Sequence, residues 1–243
     1  MPFGFLCLTH NSVFPILSRE PLLDSIPCSN ESELGVSPVR SSREGKRSKT
    51  EGNRLPMPDP AQKKATYEDL YHLPDGVVGE ILNGQLVATP RPSPRHARVS
   101  SALGITLGGP FMMGKGGGPG GWWILDEPEV KLGENILVPD LAGWRKERLP
   151  DIPEQDNWIS VSPDWVCEVL SPATVRTDRV LKMPIYAKFE VASAWLIDPA
   201  SKTLEVFQLE SGKWVLLAAH SESDKARIEP FQEVELDLSL LWG

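Results

Sequence analysis

Residues 165–170, Trp-Val-Cys-Glu-Val-Leu, restrict the fold more than any other stretch of the chain. Val166, Cys167, Val169 and Leu170 surround Glu168; Ser162-Pro163 precedes the run and Ser171-Pro172 closes it. A short apolar run between such breaks reads as a strand buried on both faces. Sheets with both faces covered belong to folds that also carry helices. The carboxylate at its centre costs several kcal/mol unless something pairs with it. Glu168 therefore needs a partner, and the rest of the chain must supply one.

The segments around this strand predict a mixed α/β domain. "TYEDLYHLP" carries a Thr cap, first-turn acids and a stop at Pro74, which predicts a short helix. "VVGEILNGQLVATP" predicts two strands around Asn83-Gly84, the strongest hairpin signal present. "SPRHARVSSALGITLGG" predicts a helix with a stripe of Val99, Ala102, Leu103 and Ile105/Leu107. The glycine-rich stretch 114–121 lacks a following Lys-Ser/Thr and a helix, so it reads as a turn rather than a phosphate loop. A strand over 136–144 is expected beside 165–170. After it, residues 177–189 form a helix with a bend at Pro184, whose missing N–H removes a backbone bond. Strands at "SAWLIDP", "TLEVFQL" and "KWVLLAA" follow, and a short strand and turn close at Leu236–Trp242.

Composition narrows the function classes. Residues 1–60 hold 7 Lys+Arg and 7 Asp+Glu, whereas residues 61–243 hold 18 and 26, so the net charge of −8 sits in the second part. Strong, non-specific nucleic-acid binders are normally basic, and this chain is not. Residues 1–60 are Ser-rich with no hydrophobic period and read as a disordered extension, leaving 61–243 as the folded domain. No apolar run reaches the ~20 residues of a membrane helix. The start has no basic residue before Arg19, which argues against a secretory signal. Cys7, Cys28 and Cys167 show no paired spacing, which fits a reducing cytoplasm and argues against a zinc–thiolate site.

Two acids carry the candidate chemistry. Asp140 follows Pro139 on one expected strand and Glu168 lies on its neighbour. Carboxylates projecting from adjacent strands to a common edge can hold one hard divalent cation, and Mg²⁺ (or Mn²⁺) takes oxygen ligands together with substrate phosphate. Lys182, on the following helix with Asp178 one turn before it, can orient a water or stabilise charge on a phosphate. Each residue also has a plainer role: Asp140 as a turn residue, Glu168 as half of a salt bridge with Lys182 or Arg179, and Lys182 as a solvated charge. Asp178 reads as a first-turn acid favoured by the helix dipole. Arg95 and His96 read as surface residues, with His96 able to reach a phosphate. Asp198 reads as a turn acid, and the eight tryptophans as packing.

"VPD", "EVLSP", the helix with Lys182 and "WLIDP" together resemble the restriction-endonuclease family of the PD-(D/E)XK nuclease superfamily, over about residues 66–240. The resemblance implies a restriction-endonuclease-like mixed central sheet flanked by helices. It implies Asp140 as the acid of the PD element, Glu168 as the second acid, and Glu80, in "EILNGQLV", as a further metal or water ligand. The superfamily lysine would stand two residues after Glu168, where this chain has Leu170; in the resembled family it comes from the next helix, where Lys182 stands. The implied activity is Mg²⁺-dependent hydrolysis of phosphodiesters, in DNA, in the cytoplasm. Cutting both strands of a duplex would suit a homodimer. The alternatives are a silent nucleic-acid- or protein-binding module that kept the fold, and an internal ion-pair cluster without catalytic use.

Overall fold

The computed structural model describes residues 63–243, within one compact unit. The expected disordered extension over 1–60 lies outside the described residues. Thr66 opens α1 (Tyr67–Leu70) as the sequence predicts: its N–H and its hydroxyl both reach Asp69 Oδ2, at 2.7 and 3.0 Å. β1 (Val77–Leu82) and β2 (Gln85–Pro90) pair antiparallel across Asn83-Gly84, whose φ values of 54° and 78° are those an Asn-Gly turn adopts readily. In α2 (Pro94–Leu107), Ser93 Oγ caps the first turn by accepting from the His96 N–H. Its buried face carries Val99, Leu103 and Leu107. Ile105 is 78% exposed, because two residues from Leu103 a helix has turned about 200°.

Beyond α2 come β3 (Trp122–Asp126), β4 (Val130–Leu132), β5 (Asn135–Leu137), β6 (Leu141–Arg145) and β7 (Trp165–Val169). A π-helical turn, Thr177–Lys182, then runs into α3 (Met183–Lys188). β8 (Ser193–Asp198), β9 (Thr203–Glu210) and β10 (Lys213–Ser221) follow, and β11 (Lys225–Ala226), β12 (Leu236–Asp237) and α4 (Ser239–Trp242) close the chain. The larger sheet has the order β10-β9-β8-β7-β6-β3, and a smaller one the order β2-β1-β5-β4. β7 and β8 are parallel, and the segment carrying α3 is their crossover.

The expected continuous strand over 136–144 is two strands in two sheets. β5 pairs with β1 and β4, whereas β6 pairs with β3 and β7, and Val138-Pro139-Asp140 is the break between them. Pro139 lacks the N–H that a continuing ladder needs, so the chain changes sheets there. The predicted adjacency of this region to 165–170 is met by β6 alone, with Leu141 opposite Cys167.

β7 is buried along its whole length. Trp165, Cys167 and Val169 share a core with Val99, Leu103 and Leu107 of α2. Val166, with Leu170 just beyond the strand, joins Met183, Ile185 and Tyr186 of α3 in a second core. The period of two along a strand puts Glu168 on this second face. The indoles are packing, as expected: Trp144, Trp165 and Trp195 are fully buried, and Trp165 meets Trp195 edge-on at 5.2 Å. Loss of one such ring costs about 3–5 kcal/mol.

Candidate active site

Glu168 finds its partners on the helical crossover. Lys182 Nζ lies 3.0 Å from Glu168 Oε2, and the Tyr186 hydroxyl donates to Glu168 Oε1 at 2.6 Å. Residues four apart lie on one helix face, so the same face that covers β7 delivers both groups. Only 1% of Glu168 and 4% of Lys182 is exposed. The ammonium also lies 3.1 Å from Glu80 Oε1, donates to the Val138 carbonyl at 3.1 Å, and stands 3.6 Å from Asp178 Oδ1.

Glu80 reaches this point because β1 and β5 meet only at Ile81–Ile136, just before β5 ends. The Val138 N–H, freed from the ladder, donates to Glu80 Oε1 at 2.8 Å. Asp140, two residues on, accepts from the Val169 N–H at 2.7 Å through Oδ2 and lies 3.2 Å from His96 Nε2 through Oδ1. The break at Pro139 thus brings the backbone of one sheet and the acid of the next to a common point.

Three carboxylates, Glu80, Glu168 and Asp178, therefore surround one ammonium, and Asp140 lines the same cavity beside them. Burial raises the Glu168 carboxyl well above its usual range; Lys182 opposes the rise and Asp178, Asp140 and Glu80 add to it. Burial also lifts Asp178 to about 6, again against Lys182. For Lys182, burial would favour the neutral amine, but Glu168, Glu80, Asp178 and Asp140 outweigh it and hold the ammonium charged. Burial likewise depresses His96, yet its hydrogen bond and attraction to Asp140 prevail and raise its pKa.

A cavity of about 330 Å³ opens onto the cluster, lined by all four acids, Lys182 and His96 and by Arg91 at its mouth. Asp140 is the accessible acid, with 16% of its side chain exposed. The donors are all hard oxygens with an excess of negative charge, which suits Mg²⁺ or Mn²⁺. Among the described residues no three His, Cys, Asp or Glu side chains are already arranged to hold a metal ion, and the Lys182 ammonium occupies the middle of the oxygens.

All four residues singled out for the site, Glu80, Asp140, Glu168 and Lys182, come together here. Arg179 takes no part and pairs with Glu205 instead. Asp198 is the turn acid expected, accepting from the Ala200 N–H at 2.8 Å. Two expectations fail. His96 is buried rather than a surface residue, because the first turn of α2 packs over the break at Asp140. Asp178 is 2% exposed and faces Lys182 rather than merely serving a helix dipole. Tyr186 is a site residue that the sequence reading does not single out; a hydroxyl one turn after Lys182 is its signal.

Comparison with known proteins bears on the family and the fold. No curated protein matches the chain. A solved structure from Anabaena variabilis ATCC 29413, titled as a "putative nuclease belonging to DUF820", superposes with a TM-score of 0.59. It is 21% identical and the match covers 73% of this chain and 97% of that one, which shows a shared fold. No helix among the described residues is long and apolar enough to cross a membrane. The family model described as "Uma2: Putative restriction endonuclease" matches residues 65–240, from α1 into α4, and the chain belongs to that family.

Proposed function

We propose that the chain is a Mg²⁺- or Mn²⁺-dependent endonuclease that hydrolyses phosphodiester bonds in DNA. Asp140, Glu168 and Glu80 hold the metal and Lys182 serves the reacting phosphate. The observation that supports this most is the convergence of four carboxylates and one lysine on a cavity open to solvent. When bound, the metal supplies a Lewis acid for the phosphate and a lowered pKa for its water.

The chain's own residues divide the remaining work. The Val169 N–H and His96 hold the two oxygens of Asp140, the Val138 N–H holds Glu80, and Tyr186 holds Glu168. Each carboxylate is thereby fixed before substrate arrives, which lowers the reorganisation needed at the reaction. Lys182, kept charged by its neighbours, acts as an electrostatic group and not as a general base. Its ammonium stabilises charge that develops on the phosphate and shares the acids with the metal. A homodimer would let two such sites cut both strands.

One observation favours a second reading, a sealed ion-pair cluster in a silent module that kept the fold: Lys182 already neutralises the acids it touches. The open cavity and the partly exposed Asp140 speak against it. Titration calorimetry with Mn²⁺ separates the two. We expect one site in the wild type, weakened at least about tenfold in Asp140→Asn and in Glu168→Gln, within the range that loss of metal-site contacts produces. Equal heats in all three proteins would refute the metal site.

A further inference from the structure

We infer that a groove leading away from the catalytic cavity, rimmed by Arg95, Arg98 and Lys202, carries the phosphodiester backbone of the DNA strand. This inference rests on the nuclease function proposed above and adds where that substrate lies. Three hollows succeed one another along the first turns of α2. The catalytic cavity shares Ser93, His96, Ser171 and Pro172 with a second hollow of about 380 Å³. That one shares Arg95, Pro199 and Ala200 with a third of about 230 Å³, which reaches Arg98, Lys202 and Trp242.

The charges along this path run opposite to the rest of the molecule. Arg95 and Arg98 stand one helical turn apart, so they lie on one face of α2. Lys202 faces them from the turn between β8 and β9. All three are exposed, and the ion pairs among the described residues engage none of them. Arg98 donates to the Trp242 carbonyl at 3.2 Å, a neutral acceptor that positions the guanidinium without cancelling its charge. Asp198, an acid lining the second hollow, is occupied by the Ala200 and Ser201 N–H groups.

A chain of net charge −8 that leaves three cations unpaired beside its acidic cavity has the arrangement a polyanion requires. Phosphates bind the cations, and the reacting phosphate is thereby delivered to the acids and their metal. Contacts of this kind fix register and orientation without reading bases. They also release counterions, so binding weakens with salt by roughly 0.9 of a log unit per log unit of salt for each phosphate neutralised.

The test is fluorescence anisotropy of a labelled DNA duplex with EDTA present, over a range of salt. We expect the triple variant Arg95→Glu/Arg98→Glu/Lys202→Glu to bind at least about tenfold more weakly and to lose about 2 to 3 from the salt slope. The milder Arg95→Ala/Arg98→Ala pair should move both quantities the same way by less, and it covers the case in which charge reversal disturbs folding. Lys213→Glu makes an equal charge change at the far end of β10 and should leave both unchanged. If the wild type cleaves DNA while the groove variants bind with unaltered affinity and slope, the groove is overturned and the nuclease function stands. If the wild type neither binds nor cleaves DNA, both fall together.

Discussion

Lys182 meets Glu168 from fourteen residues along the chain, Nζ to Oε2 at 3.0 Å, while Leu170 stands two residues after the glutamate. Leu170 is a buried core residue packed with the α3 side chains. An ammonium on the crossover therefore stands where the strand cannot supply one, and its flexible stem tolerates the change of origin.

Replacing Lys182 by Ala removes the cation that Glu80, Glu168 and Asp178 share. We expect a loss of about 3–5 kcal/mol of stability at neutral pH in EDTA, because uncompensated buried charges remain. Turnover should fall by about 10²–10⁴. Mn²⁺ should still bind, since an ammonium is not a ligand, and should raise the melting temperature of the variant more than that of the wild type. Melting curves with and without Mn²⁺ check this; a variant as stable and as active as the wild type would make Lys182 a bystander.

Tyr186→Phe deletes one hydroxyl and leaves the ring in its core. Glu168 Oε1 then loses a 2.6 Å donor on a side chain that is only 1% exposed. An unsatisfied buried acceptor costs about 1–3 kcal/mol. Urea unfolding in EDTA should show a lower midpoint with an unchanged slope; an unchanged midpoint would mean that the hydroxyl contributes nothing.

Asp178 sets a pH dependence whose sign follows from its environment. Burial raises its carboxyl from 3.8 to about 6, so the folded state holds the proton more tightly than the unfolded one. Its contribution to stability is full below about pH 4 and is lost as pH rises through about 6. Asp178→Asn removes that loss. In EDTA the variant should gain on the wild type between about pH 4 and 6 and remain ahead at pH 7. Parallel melting curves across that window would contradict the assignment.

Much of this was readable along the chain, for identifiable reasons. Glu168 stood out because a carboxylate amid buried apolar residues demands a partner, and the Asn83-Gly84 turn because few dipeptides supply two positive φ values. Asp140 was legible only together with Glu168, since an acid after proline is ordinarily a turn. The switch of sheets at Pro139 was hidden: apolar residues flank it on both sides, and periodicity does not say which strands will pair. His96, Asp178 and Tyr186 were misread or missed because their role lies in what packs over them. Each is one residue on a helical segment, and only the packing of α2, the π-helical turn and α3 over the ends of β6 and β7 turns them toward the acids.

The central claim is that these acids and this lysine form a metal-dependent phosphodiester-cleaving centre. The direct measurement is nicking of supercoiled plasmid by the wild type, Asp140→Asn, Glu168→Gln and Lys182→Ala, each with Mg²⁺, with Mn²⁺ and with EDTA. We predict that the wild type nicks with either metal and stops in EDTA, and that each variant is slowed by at least about a hundredfold while its circular dichroism stays native. Nicking that persists in EDTA, or that proceeds equally fast in the three variants, would contradict it. So would a folded wild type, with Mn²⁺ bound, that leaves every DNA substrate intact.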